Sequence, residues 1–192
     1  MMKKEFSNDI NQALKVLQQG GIIIYPTDTI WGIGCDATNA TAVEKVFTVK
    51  KRTGQKAMIV LMPDVSWLPS YVKHIPEVAY QLIEVADKPL TLVLEGAFNL
   101  ASNLVAPDGS IAVRIVHDPF CQALLERFGK PVVSTSANFS GEPAPAIFRD
   151  IEPRLLTMVD YVVSWRQNDT TPGEPSSIIR LGPGGEVSIL RP

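Results

Sequence analysis

The sequence predicts an α/β fold, in which one domain over residues 1–192 forms a twisted, mixed β-sheet with flanking helices. Helical and strand patterns alternate along the first part of the chain, and strand patterns dominate the last part. The chain has 192 residues, of which 45% are hydrophobic. A chain of this size can bury about 70% of the surface that it exposes when unfolded, so one core suffices.

The predicted helices share apolar residues at a spacing of three and four along the sequence. They span residues 6–19, 39–51, 76–86, 119–128 and 151–158. The predicted strands are short apolar runs that end at proline, glycine or polar residues, and the run 57–62 is continuous, as in a central strand. They span residues 22–25, 57–62, 90–94, 110–115, 131–134, 161–164, 177–181 and 187–190.

Capping and turn residues mark the ends of these elements. We expect Ser7 or Asn8 to cap the first helix, Thr38 or Asn39 the second, and Asp118 the fourth. Gly20-Gly21 ends the first helix, because glycine tolerates the left-handed conformation that follows a helix. The glycine-rich stretch 182–185 lacks the Lys-Ser/Thr of a phosphate-binding loop and predicts a hairpin turn.

Composition limits the classes of protein to consider. The formal net charge is −2, which argues against nucleic-acid binding over the whole surface. No apolar run approaches ~18 residues, and the N-terminus resembles no secretory signal. The two cysteines, Cys35 and Cys121, form no disulfide framework, and His74 and His117 lack the spacing of metal ligands. We therefore expect a cytoplasmic protein with no metal site of its own.

The stretch YPTDTIWGIGCDA, residues 25–37, is more elaborate than the end of an ordinary strand. Its Gly32 and Gly34 fit the G-x-G-x-x-A pattern of dinucleotide-binding sites. In those sites the glycines directly follow the strand, whereas here six residues intervene, and the acidic residue expected ~20 residues later is missing. Close packing of the backbone is the alternative explanation for both glycines.

Positively charged side chains and hydroxyl side chains lie at or near the ends of several predicted elements. Arg114 interrupts an apolar strand, so its charge needs a partner. The strand ending near Ser134 changes abruptly into the small polar sequence STSAN, residues 134–138. Strand ends of α/β sheets are common ligand sites, although serine and asparagine also form plain turns. The cluster Lys50-Lys51-Arg52 closes a helix, where cations also complement the helix dipole.

Taken together, these stretches closely resemble the YrdC-type threonylcarbamoyl-AMP synthases. The resemblance runs from about Gln12 to the end of the chain. The chain is similar to the short, single-domain form of the family. The stretches that carry it are YPTDTIWGIG at 25–34, KKR at 50–52, SIAVR at 110–114, STSANFSG at 134–141, PSSII at 175–179 and LRP at 190–192.

The resemblance implies that the fold has a basic concave cleft. It also implies that the protein is an enzyme of the nucleotidyltransferase class. Its reaction would condense L-threonine, bicarbonate or CO2, and ATP into threonylcarbamoyl-AMP and pyrophosphate. Mg2+ would accompany the ATP. The product would pass to threonylcarbamoyl-transferase proteins that modify a tRNA adenosine, and direct contact with tRNA is part of this expectation.

The resemblance also assigns roles to individual residues. Lys50 and Arg52 match the K-x-R motif, and would act in catalysis by holding phosphate or carbamate oxygens. The further ATP contacts would be Ser110, Ser136, Asn138 and Arg191. The threonine contacts would be Thr29, Arg114, Ser134 and Ser176, with Arg114 on the carboxylate.

Three positions depart from the pattern of relatives. Lys56 and Leu61 replace an asparagine and a histidine that flank a strand in many relatives, and Ala144 stands where a serine often contacts ATP. Two other functions stay open. A non-catalytic module could hold RNA in the same cleft, or the chain could resemble the carbamoyl-transfer domain of hydrogenase-maturation proteins, which are much longer chains.

Overall fold

Nine strands form one mixed sheet in the computed structural model, which describes residues 6–51 and 58–192. Their order across the sheet is β7-β1-β2-β6-β3-β5-β4-β8-β9. The pairs β1–β7, β3–β5 and β4–β8 are parallel and the other five pairs are antiparallel. The strands are β1 Ile23–Tyr25, β2 Gly32–Gly34, β3 Ile59–Met62, β4 Leu90–Glu95, β5 Ser110–Ile115, β6 Val132–Ser136, β7 Tyr161–Val162, β8 Ser177–Leu181 and β9 Val187–Arg191.

The predicted helices are all present; α4 has the predicted bounds and those of the other four are shifted. They are α1 Ser7–Gln18, α2 Ala40–Val49, α3 Glu77–Val85, α4 Pro119–Phe128 and α5 Pro153–Leu156, with 3-10 helices at Val65–Ser70 and Phe148–Asp150. α5 is shorter than the predicted 151–158. After Leu156 the N–H groups of Thr157 and Met158 donate to carbonyls three residues back instead of four, at 3.2 and 3.1 Å, so the α-helical pattern stops. No helix in the described ranges is long and apolar enough to cross a membrane.

Two of the predicted caps are confirmed and one is wrong. The side chains of Asn39 and Asp118 accept hydrogen bonds from the first turns of α2 and α4. α1 begins at Ser7, and Phe6 occupies the capping position in place of Ser7 or Asn8, with no side-chain cap bond. Phe6 is 4% exposed and lies edge-on to Phe120, so burial of this ring fixes the start of α1.

Successive side chains along each strand point to opposite faces of the sheet, so the hydrophobic core is divided between the two faces. On β3, Val60 belongs to the larger core and Leu61 to the smaller one. The smaller core joins α1 and α4 to one face through residues such as Tyr25 and Phe120. The β5 residues on this same face of the sheet are Ser110, Ala112 and Arg114. This part of the face carries the polar groups described below.

The strand β2 was not predicted, because two of its three residues are glycine. It pairs with β1 and β6, and both neighbours lie too close for a side chain at Gly34. A Cβ atom there would lie 2.6 Å from the Val133 carbonyl oxygen and 2.6 Å from the Tyr25 ring. The dinucleotide interpretation is therefore wrong, since Gly32 and Gly34 lie within the sheet and serve close packing.

Candidate functional site

A cavity of about 300 Å³ lies against the polar part of this sheet face. Its apolar lining includes Ile59, Val93, Ala112 and Ile178 from four strands that are neighbours or near neighbours in the sheet. The cavity also brings together six of the ten residues assigned to the site from the sequence. They are Thr29, Arg114, Ser134, Ser136, Ser176 and Arg191.

Arg114 is the central charged group of the cavity. Its side chain is only 3% exposed, and one guanidinium nitrogen, Nη2, lies 3.1 Å from Oδ1 of Asp28. The same nitrogen donates to the Thr27 hydroxyl at 3.4 Å. Within the described residues, Nε of Arg114 has no hydrogen-bond partner. A buried donor without a partner costs free energy, so this atom is suited to an acceptor on a ligand.

Hydroxyl groups beside Arg114 have a defined direction of donation. The Thr27 hydroxyl donates to the Ile30 carbonyl at 2.8 Å, and the backbone N–H of Thr29 donates to Thr27 Oγ1 at 3.1 Å. Thr27 has one hydroxyl proton, so in the 2.9 Å contact between the two side chains Thr29 is the donor. Thr29 Oγ1 therefore keeps acceptor capacity for an amine or hydroxyl in the cavity.

Ser176 and Arg191 also line the cavity and contact each other. Arg191 Nε donates to the Ser176 carbonyl at 2.8 Å, and its Nη2 donates to the Ser176 hydroxyl at 3.4 Å. That hydroxyl also lies 2.7 Å from the hydroxyl of Thr91, which is fully buried on β4. Thr91 pairs across the sheet with Arg114, so β4 and β5 hold the two groups together.

The electrostatics of the cavity favour an anion. Burial lowers the pKa of the Arg191 guanidinium, and the positive charge of Arg114 lowers it further. Asp28 is the carboxylate paired with Arg114. These three side chains together carry an excess of one positive charge, which a carboxylate or phosphate would offset.

The Ser134 hydroxyl fits in the cavity because Gly32 has no side chain. A Cβ atom on Gly32 would lie 2.9 Å from the Ser134 hydroxyl oxygen, so a larger residue would displace that hydroxyl. Ser134 is 7% exposed and faces Ile59 of β3 across the sheet. The two glycines of the stretch 25–37 are therefore required for different reasons. Gly32 leaves room for a polar group, and Gly34 leaves room for the Tyr25 ring.

Lys50 lies behind the cavity and holds the turn after β6. Its ammonium group donates to the carbonyls of Ser136 and Asn138 at 2.5 and 2.8 Å, and to Oδ1 of Asn138 at 3.2 Å. The Lys50 residue is 3% exposed. The structure therefore brings Lys50 and Asn138 together beside Ser136, and places the Lys50 ammonium on protein oxygens.

Ser110 and Leu61, which were also named from the sequence, do not line this cavity. Ser110 is on the same face of β5 as Arg114, four residues along, and its hydroxyl donates to Asp108 at 2.6 Å. That hydrogen bond, together with Arg180, lowers the pKa of Asp108 to about 2. Arg52 and Lys56 lie outside the described residues. Leu61 is buried in the smaller core, whereas Ala144 lines the cavity.

A second cavity of about 450 Å³ adjoins the first. The loop 166–175 forms much of its lining, and Thr29, Ile30 and Pro175 line both cavities. Gly173 lies against the Thr29 backbone, where a Cβ atom would come within 1.9 Å of the Thr29 carbonyl oxygen. The loop is therefore a wall shared by the two cavities.

A model of the Sua5/YciO/YrdC family, described as telomere recombination, matches residues 15–192. The chain belongs to this family. The threonylcarbamoyl-AMP synthase of Stenotrophomonas maltophilia (strain K279a) is 34% identical over 158 residues, which are 80% of this chain and 84% of that protein. The resemblance stated from the sequence motifs is confirmed.

Solved structures of the Sua5/YciO/YrdC family share the fold. E. coli YciO superposes with a TM-score of 0.82 at 26% identity, over 96% of this chain and 88% of that one. P. abyssi Sua5 complexed with L-threonine gives a TM-score of 0.84 at 26% identity, over 95% of this chain. The match covers 53% of that Sua5 chain, so this chain spans about half its length.

Sequence reasoning did not name several residues that build the site. Thr91 could have been noticed as a hydroxyl inside the apolar run of β4, and Gly173 as a glycine in a loop next to a proline. The pairing of Asp28 with Arg114 was not foreseen. Nothing in the sequence indicates Arg166, which donates to the Thr27 carbonyl at 3.2 Å.

Proposed function

We propose that the chain is a threonylcarbamoyl-AMP synthase, which condenses L-threonine, bicarbonate or CO2, and ATP with release of pyrophosphate. The observation that carries the proposal is the buried Arg114, whose Nε has no hydrogen-bond partner among the described residues. It lies in a cavity that five serine and threonine residues also line. Names of relatives such as the S. maltophilia enzyme, and the L-threonine bound to P. abyssi Sua5, support the same substrate.

Threonine would bind with its carboxylate on Arg114, since a guanidinium can hold both oxygens of a carboxylate. Thr29 would accept a hydrogen bond from the amine or the hydroxyl of threonine, as its donor is already used. Ser134 and Ser176, from β6 and the start of β8, would complete the pocket. The apolar lining suits the methyl group of threonine.

ATP would bind along the remaining polar groups. Arg191 and Ser136 line the cavity, and Asn138 follows in the turn after β6. Lys50 would act mainly through its three hydrogen bonds to this turn, which fix Ser136 and Asn138. Arg52 and Ser110 would contribute phosphate or nucleotide contacts, as the family motifs imply.

The chemistry requires no nucleophile from the protein. The amine of threonine attacks CO2 and loses a proton, which gives a carbamate. A carbamate oxygen then attacks the α-phosphorus of ATP, the bond to the β-phosphate oxygen breaks, and pyrophosphate leaves. The protein would act by holding the reactants in line and by offsetting negative charge.

Mg2+ would arrive with ATP. Within the described residues, no three His, Cys, Asp or Glu side chains are grouped so that they could hold a metal ion. The ligands of the ion would therefore be triphosphate oxygens and water, which Mg2+ accepts readily. The product would pass to a threonylcarbamoyl-transferase acting on tRNA.

The test is pyrophosphate release from purified protein with ATP, Mg2+ and bicarbonate, with and without L-threonine. We expect release that depends on threonine and that the Arg52→Ala variant loses. An exposed cation such as Lys15 supplies the control variant, Lys15→Ala, which should keep full activity. A folded protein that releases no pyrophosphate, yet binds tRNA with an affinity that falls steeply with salt, would replace the proposal with the RNA-binding module.

A further inference from the structure

We propose that Asp28 is a positioning residue for the threonine site, which fixes the Arg114 guanidinium so that its Nε is available to the carboxylate. The inference deepens the proposed function and rests on it. Asp28 lies in the turn between β1 and β2, far along the chain from Arg114 on β5. Asp28 would not contact the substrate and would act through Arg114.

The contact between the two side chains is selective. Asp28 Oδ1 lies 3.1 Å from Nη2 of Arg114, and the Asp28 side chain is 12% exposed. The Thr27 hydroxyl accepts from the same nitrogen at 3.4 Å. Both contacts involve one nitrogen of the guanidinium, and the contact with Oδ1 of Asp28 is an ion pair without a hydrogen bond. Within the described part of the chain, Nε of Arg114 has no hydrogen-bond partner.

Asp28 is itself held in place by the surrounding backbone. Its Oδ2 accepts from the N–H of His117 at 3.4 Å, just after β5. The neighbouring Thr27 carbonyl accepts from Arg166, which also pairs with Asp118 at 3.2 Å. Charged side chains from the loop 166–175 and from the start of α4 thus fix this turn.

A role in stability alone explains this pair poorly. Removing two charges from water is costly, and a buried ion pair often adds little to the free energy of unfolding compared with apolar residues of similar size. Its specific effect is to fix a geometry. A guanidinium held by one nitrogen before the substrate arrives loses less conformational freedom on binding.

The test is a double-mutant cycle on kcat/KM for L-threonine at saturating ATP, with the wild type, Asp28→Ala, Arg114→Ala and the double variant. We expect Asp28→Ala to lower kcat/KM for threonine by ~10-fold or more, and the KM for ATP to change by less than ~3-fold. In the Arg114→Ala background, Asp28→Ala should have no further effect.

Two further variants keep the result interpretable. Asp28→Asn retains the size and one acceptor oxygen, so we expect a smaller loss that is again confined to threonine. Glu152→Ala removes a carboxylate from an exposed ion pair with Arg154, at 3.1 Å, and should change neither constant. Thermal unfolding of each free variant separates loss of fold from loss of binding.

The proposal is overturned if Asp28→Ala weakens threonine and ATP equally, or if its full effect persists when Arg114 is already alanine. A wild type that binds L-threonine by calorimetry but forms no product would contradict the proposed function alone, and the cycle would then be run on dissociation constants. A wild type that binds no L-threonine would contradict both.

Discussion

Arg114 is a buried charged group of the cavity, and its guanidinium contacts Asp28 and Thr27. Its charge inside an apolar strand predicted a buried partner, and the structure supplies Asp28. The sequence could not identify that partner, because the pairing depends on how β1, β2 and β5 are arranged in the sheet. Ser134 was noticed where an apolar strand turns polar, but Thr29 and Ser176 were named only through family motifs, since hydroxyl residues in turns have many structural reasons to occur.

Arg114→Lys tests whether the shape of the guanidinium matters. Lysine keeps the positive charge but cannot present two parallel donors to a carboxylate while a third nitrogen holds Asp28. We expect the KM for L-threonine to rise ~10-fold to ~100-fold, with the KM for ATP nearly unchanged, in initial-rate measurements of pyrophosphate release. Equal increases in both constants would show that Arg114 supports the fold and not the threonine site.

Asp9 is a residue whose effect should depend on pH. Its carboxylate accepts hydrogen bonds from the N–H groups of Ser164 and Trp165 and from the hydroxyls of Ser164 and Tyr161. Burial opposes its ionisation, but these bonds outweigh burial and lower the pKa from its ordinary value of 3.8. A lowered pKa in the folded state stabilises the protein above the unfolded pKa, and this stabilisation disappears as pH falls through the folded pKa.

We therefore expect Asp9→Asn to reduce the free energy of unfolding by about 2 kcal/mol near neutral pH, because an amide cannot replace all acceptors. The difference from the wild type should be constant between about pH 8 and about pH 5 and should shrink as pH falls below 3.8. Denaturant unfolding at several pH values measures it. Glu126→Gln, an exposed change on α4, is the control, and an equal pH response in both variants would refute the assignment.

At the scale of elements, composition and periodicity predicted the helices and most strands, but not β2. The predicted hairpin turn at 182–185 is confirmed by the bond from the Gly182 N–H to the Glu186 carbonyl at 2.9 Å. Such local features can be derived from sequence, since turn residues act on their neighbours. The strand β2 could not, because the crowding that requires Gly34 comes from Tyr25 and from a strand about 100 residues later in the chain.

Two glycine substitutions separate crowding from backbone conformation. Gly34→Ala would place a methyl group 2.6 Å from the Val133 carbonyl oxygen, so we expect a loss of at least about 3 kcal/mol in the free energy of unfolding. Gly129 follows α4 with φ +72° and has open space around it, so Gly129→Ala should cost only about 1 kcal/mol. Equal costs in denaturant unfolding would contradict the close approach of β1, β2 and β6.

At the scale of the whole molecule, the sequence predicted an α/β domain with a mixed sheet but not the strand order. β4 lies between β5 and β8 in the sheet, although β8 comes much later in the chain than the other two. This arrangement brings Thr91, Arg114 and Ser176 together. The site is therefore a consequence of topology, which periodicity does not encode. Resemblance to the Sua5/YciO/YrdC family supplied what local patterns could not.

The most direct measurement is mass spectrometry of the product formed from L-threonine, ATP, Mg2+ and bicarbonate. We expect a threonine-dependent species that contains AMP, threonine and one added carboxyl group, and that becomes one mass unit heavier with 13C-bicarbonate. The Arg114→Lys variant should form it only at much higher threonine concentration. An adenylate of threonine without the added carbon, or no adenylate from folded protein, would contradict the proposed reaction.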